Sequence, residues 1–346
     1  MTVVGLDDTD SREMGMCTTY AAAELAERIR DSGGCVERLL LVRLNPAVEH
    51  KTRGNAALAV HTDLDADRAT ALSRDVLDMA QTDDPNTNPG AVVADCAPDD
   101  GPPQGAEFTV DAIRAIQDRT TATLLADTAG FARCQRGNGR GLVGALAAVG
   151  AWAALGDWTY EHIAYRETDR WGTTRDVDAE SVRAAADSHY PAVWDTVDRA
   201  SGYPVCVPRT PCPILYGVRG DDPEACRAVA DAIESEPVDR RATFVTNQGT
   251  DVHLQDGTVG ALDDDSAYRV TGTVAGAPET REGGHVFLPV AGPEGARLQC
   301  VAFEPTKRFR DRVRALRSGD EVTVCGEVTD GTLKLEKFAV RELVRT

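Results

Sequence analysis

Thr2-Val3-Val4-Gly5-Leu6-Asp7-Asp8-Thr9-Asp10-Ser11 opens the chain, and the reading of this stretch decides the fold. Val3, Val4 and Leu6 form a short apolar strand, and three carboxylates crowd the turn that leaves it. Thr18-Thr19-Tyr20 then leads into Ala21-Ala22-Ala23-Glu24-Leu25-Ala26-Glu27-Arg28-Ile29, a run of strong helix formers. Strand, turn and helix in that order place the turn where α/β folds bind ligands, at the carboxyl end of a strand. Carboxylates this close repel one another unless a cation offsets them. Asp7, Asp8 and Asp10 are therefore candidate ligands of Mg2+ on nucleotide phosphates, with Thr9 between them in the same cofactor site. A solvated acidic turn is the plain alternative.

Outward from this unit, residues 35–44 and 55–60 read as strands, 63–77 as an acidic helix and 91–93 as a short strand. Residues 99–105 are rich in Pro, Gly and Asp and read as an inserted surface loop, and 110–117 as a helix. Residues 133–140 read as a basic, glycine-rich loop with a helix over 142–149 behind it. The proline-rich stretch 199–213 marks a boundary. Beyond it, strand 214–218, helix 223–234 and strand 242–246 suggest a compact, ferredoxin-like α+β unit. Five short strands at 268–274, 285–290, 298–303, 321–325 and 332–340 fit an OB-type barrel.

The 346 residues carry a formal net charge of -19, and the 37 basic side chains include lysine only at Lys51, Lys307, Lys334 and Lys337. Lysine depletion together with aspartate excess points to a high-salt cytoplasm, where dense carboxylates maintain solubility. At molar salt the Debye length is about 3 Å, so net acidity says nothing for or against RNA binding; local arginine contacts and stacking decide it. The nine cysteines form no C-x-x-C pair, which predicts reduced thiols and no zinc site. With no signal-peptide pattern and no apolar run of membrane length, the expected location is the cytoplasm.

Several clusters carry chemistry. Thr18 and Thr19 sit at a helix start, where a hydroxyl either caps the helix or handles a phosphate. Arg43, Asn45, Lys51, Arg53 and Asn55 lie in the segment 42–55, whose lone lysine is a candidate phosphate contact. Arg136, Gly139, Arg140 and Gly141 belong to a loop with backbone N–H groups free for phosphates, although the G-K-[ST] of a Walker loop is missing. Contact with an RNA backbone is the rival reading of that loop. Thr246–His253 follows a strand directly and suits either substrate binding or capping. Lys307, Arg308, Phe309 and Arg310 mix bases with an aromatic, as single-stranded RNA binding requires, or else form a helix that packs Phe309 inward.

In this order the clusters resemble the archaeal isoleucine-tRNA 2-agmatinylcytidine synthetase (TiaS) family. The similar strings are GLDDTDS (5–11), MCTTY (16–20), VRLNP (42–46), KTRGNAA (51–57), TNPGAV (87–92), GRGLVGALAAVG (139–150), PCPILYGVRG (211–220), PVDRR (237–241), FVTNQGTDVHL (244–254), GGHVF (283–287) and AFEPTKRFR (302–310), and they cover nearly the whole chain. The resemblance implies an α+β multidomain protein. A kinase-like catalytic domain would span 1–62 and 130–198, a ferredoxin-like domain 63–129 and 199–262, and a C-terminal OB-fold β-barrel 263–346. It implies a ligase that joins agmatine to C2 of the wobble cytidine of the CAU-anticodon isoleucine tRNA. The reaction would consume ATP to AMP and pass through a phosphorylated cytidine.

Carried over residue by residue, Asp7, Asp8 and Asp10 match the acidic metal and ATP motif, and Thr18 matches a threonine that becomes phosphorylated. Lys51, Arg53 and Asn55 match a basic active-site loop, and 136–141 match a glycine-rich loop of the same domain. The family ends in a zinc ribbon with C-x-x-C pairs, and this chain, stopping just after the barrel, is expected to lack it. The alternatives are a ribbon-less paralogue acting on another RNA or amine, and an inert RNA-binding module.

Overall fold

The computed structural model describes every residue except Met14, Thr52, Arg53, Arg345 and Thr346. The chain divides into two compact units, one of Met1–Ala112 with Gln117–Thr250, the other of Ile113–Ile116 with the chain from Asp251 onward.

The first unit is built on β1 (Thr2–Asp7), α1 (Thr18–Asp31), β2 (Val36–Arg43), β3 (Ala56–Thr62), α2 (Ala66–Leu77), β4 (Gly90–Ala94), α3 (Pro103–Arg114), α4 (Arg119–Thr128), β5 (Ala132–Gln135), α5 (Leu142–Ala154), β6 (Thr159–Arg166), α6 (Ala179–Ser188), β7 (Val193–Trp194), the small hairpin β8 (Val197–Asp198) and β9 (Tyr203–Pro204), β10 (Ile214–Gly220), α7 (Pro223–Ala232) and β11 (Val238–Thr246). Nine strands form one sheet in the order β5-β4-β1-β3-β2-β11-β6-β10-β7. Each pairing is antiparallel except β11 with β2. The segments expected to divide between a catalytic and a ferredoxin-like domain all contribute strands to this one sheet.

β1 is covered on both faces, which is why Val3, Val4 and Leu6 are all fully buried rather than alternating. Val4 and Leu6 share a core with Tyr20, Leu25 and Ile29 of α1 and with Val76 and Leu77 of α2. On the opposite face α5 presses so close that a Cβ on Gly5 would lie 1.9 Å from the Ala145 carbonyl oxygen. The all-apolar sequence of α5 follows from that burial. Capping fixes several helix starts: Asp65, Asp118, Asp178 and Asp222 each accept N–H bonds from the first turn of α2, α4, α6 and α7.

Three expectations are corrected. The loop foreseen over 99–105 gives way to α3 from Pro103, because proline suits the first turn of a helix, where its missing N–H costs nothing. The loop foreseen over 133–140 begins as strand, since β5 runs to Gln135 against β4. Helices α4 and α6 and the interior strand β6 went unread; β6 mixes Glu161, His162 and Arg166 into a buried run and so breaks the apolar pattern.

The second unit holds β12 (Gln255–Gly257), β13 (Ser266–Val274), β14 (Glu279–Thr280), β15 (Val286–Ala291), β16 (Arg297–Ala302), α8 (Arg308–Arg314), β17 (Glu321–Thr329) and β18 (Thr332–Glu342). The order β13-β17-β18-β16-β15 closes through a β13–β15 pairing, giving the five-stranded barrel expected from the sequence. Val270, Leu288, Val290, Val322, Val324 and Leu333 fill it, with Phe309 of α8 packed against them. Among the described residues no helix is long and apolar enough to cross a membrane.

Candidate active site

The turn after β1 is held by its own carboxylates. The Asp8 N–H donates to Asp7 Oδ1 at 2.7 Å. Asp7 lies against the first turn of α5, where a Cβ on residue 144 would come within 2.0 Å of Asp7 Oδ2, so only glycine fits at Gly144. Asp8 adopts φ 58°, a left-handed conformation uncommon outside glycine and concentrated at functional turns. The Thr9 hydroxyl is fully buried and has no hydrogen-bond partner among the described residues.

The glycine-rich loop docks on this turn. Arg140 donates to Asp8 Oδ2 from Nη2 at 2.8 Å and from Nε at 3.2 Å, and Nη2 also reaches the Asn86 carbonyl at 2.6 Å. The Asn88 N–H donates to the same Asp8 oxygen at 3.2 Å. The Gly141 N–H in turn donates to the Asn88 carbonyl at 3.0 Å, and the Asn138 N–H to Asn88 Oδ1 at 3.0 Å. Gly139 takes φ 71°, and Gly141 caps α5. The fold thus gathers Asp7, Asp8, Thr9, Arg140 and Gly141, which the sequence set far apart. Arg136 does not join them; it turns to Asp78, with Nε 2.8 Å from Oδ1.

Burial, then the charges of Asp8 and Asp10, push the Asp7 carboxyl well above the usual carboxylate range. Burial raises Asp8 to about 7 against the opposing pull of Arg140, with Asp10 adding to the rise. The three carboxylates therefore feel one another, as a cation-binding set must. Among the described residues, however, no group of three or more Asp, Glu, His or Cys is arranged to hold a metal ion. The expected Mg2+ set is not preformed: Asp8 is spent on Arg140, and Asp7 Oδ1 on the Asp8 N–H.

Asp10 faces a second feature. A cavity of about 290 Å³ is lined by Asp10, Thr18, Thr19, Arg43, Glu161 and Arg219, with apolar walls from Leu41, Leu58, Ile163, Val205 and Ile214. Thr18 is the first residue of α1 and is buried; the helix is capped by Cys17 without a side-chain bond, so the Thr18 hydroxyl is not a cap. Glu161 is 5 % exposed. Its carboxylate lies 3.3 Å from Arg219 Nε and 3.9 Å from Arg43 Nη2. Yet Glu161 Oε2 and Arg219 Nε have no hydrogen-bond partner among the described residues. Gly217 leaves the room this carboxylate occupies, since a Cβ there would sit 2.8 Å from Oε1. A buried acceptor and a buried donor, both unmatched at the edge of a cavity, mark a place where a polar ligand completes the bonding.

Arg43 is aimed by the cluster after β11. Its N–H donates to Asn247 Oδ1 at 2.7 Å, its carbonyl accepts from Asn247 Nδ2 at 3.0 Å, and its Nε donates to Gln248 Oε1 at 2.8 Å. Of the two readings left open for 246–253, the structure gives neither direct lining of the cavity nor a helix cap, but support for Arg43. Asn55 bonds the Asn45 carbonyl at 2.8 Å and closes the 45–55 loop. Lys51 bonds the Pro46 carbonyl and borders a separate, open cleft of about 660 Å³ with Arg12, Asp84 and Asn86. Arg53 lies outside the described residues.

In the barrel, Lys307 and Arg308 are exposed, while Phe309 packs against Phe338 with tilted rings whose centroids are 5.6 Å apart and Arg310 pairs with Glu304 at 3.0 Å. Glu161, Arg219, Asn86 and Asn88 were missed by the sequence. Asn88 carried a signal in the string TNPGAV; Glu161 carried none beyond a charge inside a strand.

Comparison with known proteins accords with this arrangement. Residues 3–70 match the family model described as the TiaS TCKD domain, and 139–253 the TiaS FLD domain. A relative from Haloquadratum walsbyi, named as the isoleucine-tRNA 2-agmatinylcytidine synthetase TiaS, is 53% identical over 100% of this chain and 84% of its own length. A relative of the same name from Methanosarcina mazei is 44% identical over 99% of this chain and 81% of its length. Among solved structures, a complex of TiaS with its isoleucine tRNA and ATP superposes with TM-score 0.92 at 40% identity, covering 99% of this chain and 82% of that one. A ZRD-deleted mutant of TiaS in complex with agmatine gives TM-score 0.86 at 36% identity, covering 99% of this chain and 89% of that one. This chain belongs to the TiaS family.

Proposed function

We propose that the chain is an isoleucine-tRNA 2-agmatinylcytidine synthetase, a ligase that uses ATP to join agmatine to the wobble cytidine of the CAU-anticodon isoleucine tRNA. The observation that carries this reading is the double membership of Asp10. It lines the Thr18 cavity, and its charge is felt by Asp7 and Asp8. A phosphate-handling turn and an amine-sized cavity therefore meet at one residue. Relatives have been solved with the isoleucine tRNA and ATP, and with the same tRNA, AMPCPP and agmatine. A ZRD-deleted relative has been solved in complex with agmatine.

In this reading Asp7, Asp8, Thr9, Asn88, Arg140 and Gly141 bind the nucleotide. Arg140 leaves Asp8 for a phosphate, and Asp7, Asp8 and Asp10 would hold Mg2+, which offsets their mutual repulsion. The ion would supply charge neutralisation on the phosphates. The Thr18 hydroxyl, free of any capping duty, faces the cavity from the N-terminus of α1, whose partial positive charge favours a phosphate there. Glu161 Oε2 accepts from the cationic end of agmatine, and the apolar walls receive its methylenes. Lys51 would reach the nucleotide from the cleft it shares with Arg12, Asp84 and Asn86, and Lys307 and Arg308 offer exposed charge to RNA from the barrel. The segment 1–62 acts in the catalytic part, and the match of 139–253 to the TiaS FLD domain draws 139–198, expected there as well, into one domain with the segment that begins at 199. The enzyme works in the cytoplasm.

The test is incorporation of labelled agmatine into a transcript of the CAU-anticodon isoleucine tRNA with ATP in molar KCl. Incorporation that requires ATP and the CAU anticodon supports the reading. Incorporation of another amine, or into another RNA, replaces it with the paralogue reading.

A further inference from the structure

One wall of the Thr18 cavity comes from the stretch between β9 and β10, through Val205, Cys206, Pro208 and Ile214. Pro208, Pro211 and Pro213 lie in it, each without an N–H, and no strand runs from 205 to 213. A wall with so little ladder needs another fastening, and one side chain supplies it. Arg175 donates from Nε to the Ile214 carbonyl at 2.8 Å and from Nη1 to the Pro208 carbonyl at 2.8 Å. Its Nη2 reaches the Thr210 carbonyl at 3.0 Å and the Cys212 carbonyl at 3.1 Å. Four main-chain carbonyls of one stretch converge on one guanidinium.

Arg175 is itself held from both sides. The Thr174 carbonyl accepts from Arg166 Nη2 at 3.1 Å, and the Asp176 N–H donates to Glu236 Oε2 at 2.9 Å. Arg166 and Glu236 form a pair 2.6 Å apart with both side chains 1% exposed. The pair anchors residues 174–176, these aim Arg175, and Arg175 shapes the wall. Arg175 does not line the cavity.

We propose that Arg175 is a positioning residue that sets the length of the amine cavity and so the discrimination between agmatine and its chain-length homologues. This rests on the reading that the cavity takes the amine. Lysine cannot replace it, because a compact ammonium with three donors does not span carbonyls that a planar five-donor fork gathers.

The test compares ligation of agmatine, 1-amino-3-guanidinopropane and 1-amino-5-guanidinopentane by the wild-type chain and by Arg175→Lys. One methylene in a fitted pocket is worth roughly 10–200-fold in kcat/KM, so the wild type should prefer agmatine by about that margin. In Arg175→Lys the preference should collapse to within about threefold through a raised KM for agmatine, with the KM for ATP unchanged. A purely structural role would lower kcat for all three amines together and leave their ratio intact, and that result overturns the proposal. If Arg175→Lys folds poorly, Glu236→Gln, which loosens the anchor one step further out, must show the same narrowing. A wild-type chain that ligates none of the amines overturns both this inference and the function it rests on; ligation with an unchanged ratio overturns this one alone.

Discussion

Half-buried Asp8 and buried Glu161 are both carboxylates beside arginine, and they meet their charge in opposite ways. Asp8 accepts two bonds from Arg140 and one from the Asn88 N–H, all at Oδ2, and burial still holds its pKa at about 7. Glu161 lies within ion-pair range of Arg43 and Arg219, yet one of its oxygens and the Arg219 Nε are unmatched toward a cavity. In the first region Arg140 already holds the Asp8 carboxylate and only the Thr9 hydroxyl is left unmatched among the described residues, so it must release Arg140 to accept a phosphate. The second is built and incomplete. A nucleotide site that rearranges can gate chemistry, whereas an amine site that is preformed can select.

The most severe way to break this comparison is at Thr18, which belongs to the cavity. Thr18→Ala should lower ligation on the order of a thousandfold if the hydroxyl acts at the reacting phosphate. Because Thr18 makes no capping bond, stability should shift by less than about 0.5 kcal/mol. An active variant, or one that loses activity only by melting, would return Thr18 to the helix start and nothing more.

Arg140→Met sharpens the other side. Removing one partner of a half-buried, charge-assisted pair costs about 1.5–3 kcal/mol, so the melting temperature should fall while agmatine affinity stays unchanged. Loss of agmatine binding in this variant would show that the two regions are not separable.

The acidity of Asp8 gives a pH signature. Its folded pKa is raised above the ordinary carboxylate value of 3.8 to about 7, so the fold prefers the protonated form. That contribution is fully present below about 3.8 and is lost as pH rises through about 7. Thermal stability of Asp8→Asn relative to wild type should therefore grow between pH 5 and pH 8, by on the order of 2 kcal/mol without nucleotide. The wild-type kcat/KM for ATP should rise over the same interval, because only the ionised carboxylate serves a metal ion. A gap that stays constant with pH would mean Asp8 is ionised throughout, paired with Arg140, and would contradict its raised pKa.

The mildest probe is Gln248→Ala. It removes one hydrogen bond from Arg43, a loss of about 1 kcal/mol, so the KM for agmatine should rise about fivefold with the KM for ATP unmoved. An unchanged agmatine KM would free Arg43 from any part in the cavity.

Much of this was legible in the sequence, and the illegible part has a physical pattern. The β1 strand, its acidic turn and α1 were readable because an apolar strand meets carboxylates abruptly. The barrel was readable because its five strands alternate and are separated by turns. The glycine loop was readable as a basic loop before a helix, and its docking on Asp8 through Asn88 and Arg140 follows from antiparallel β4–β5 pairing, which no local pattern encodes. Glu161 was invisible for a related reason. It lies on β6, a strand buried within the nine-stranded sheet, and local pattern cannot tell a buried charge facing a cavity from an exposed one. The clusters around Asn55, Gln248 and Phe309 were seen, but the folded chain spends them on loop closure, on aiming Arg43 and on packing α8.

Calorimetric titration of agmatine into the wild-type chain and into Glu161→Gln, without nucleotide, tests the central claim most directly. A preformed cavity predicts that wild type binds agmatine in the absence of ATP. Glu161→Gln should bind at least about tenfold more weakly, since a charge-assisted bond is worth roughly 1.5–3 kcal/mol, and ATP affinity should be equal in both. Equal agmatine affinity in the two proteins, or binding by wild type only after ATP is added, would contradict it.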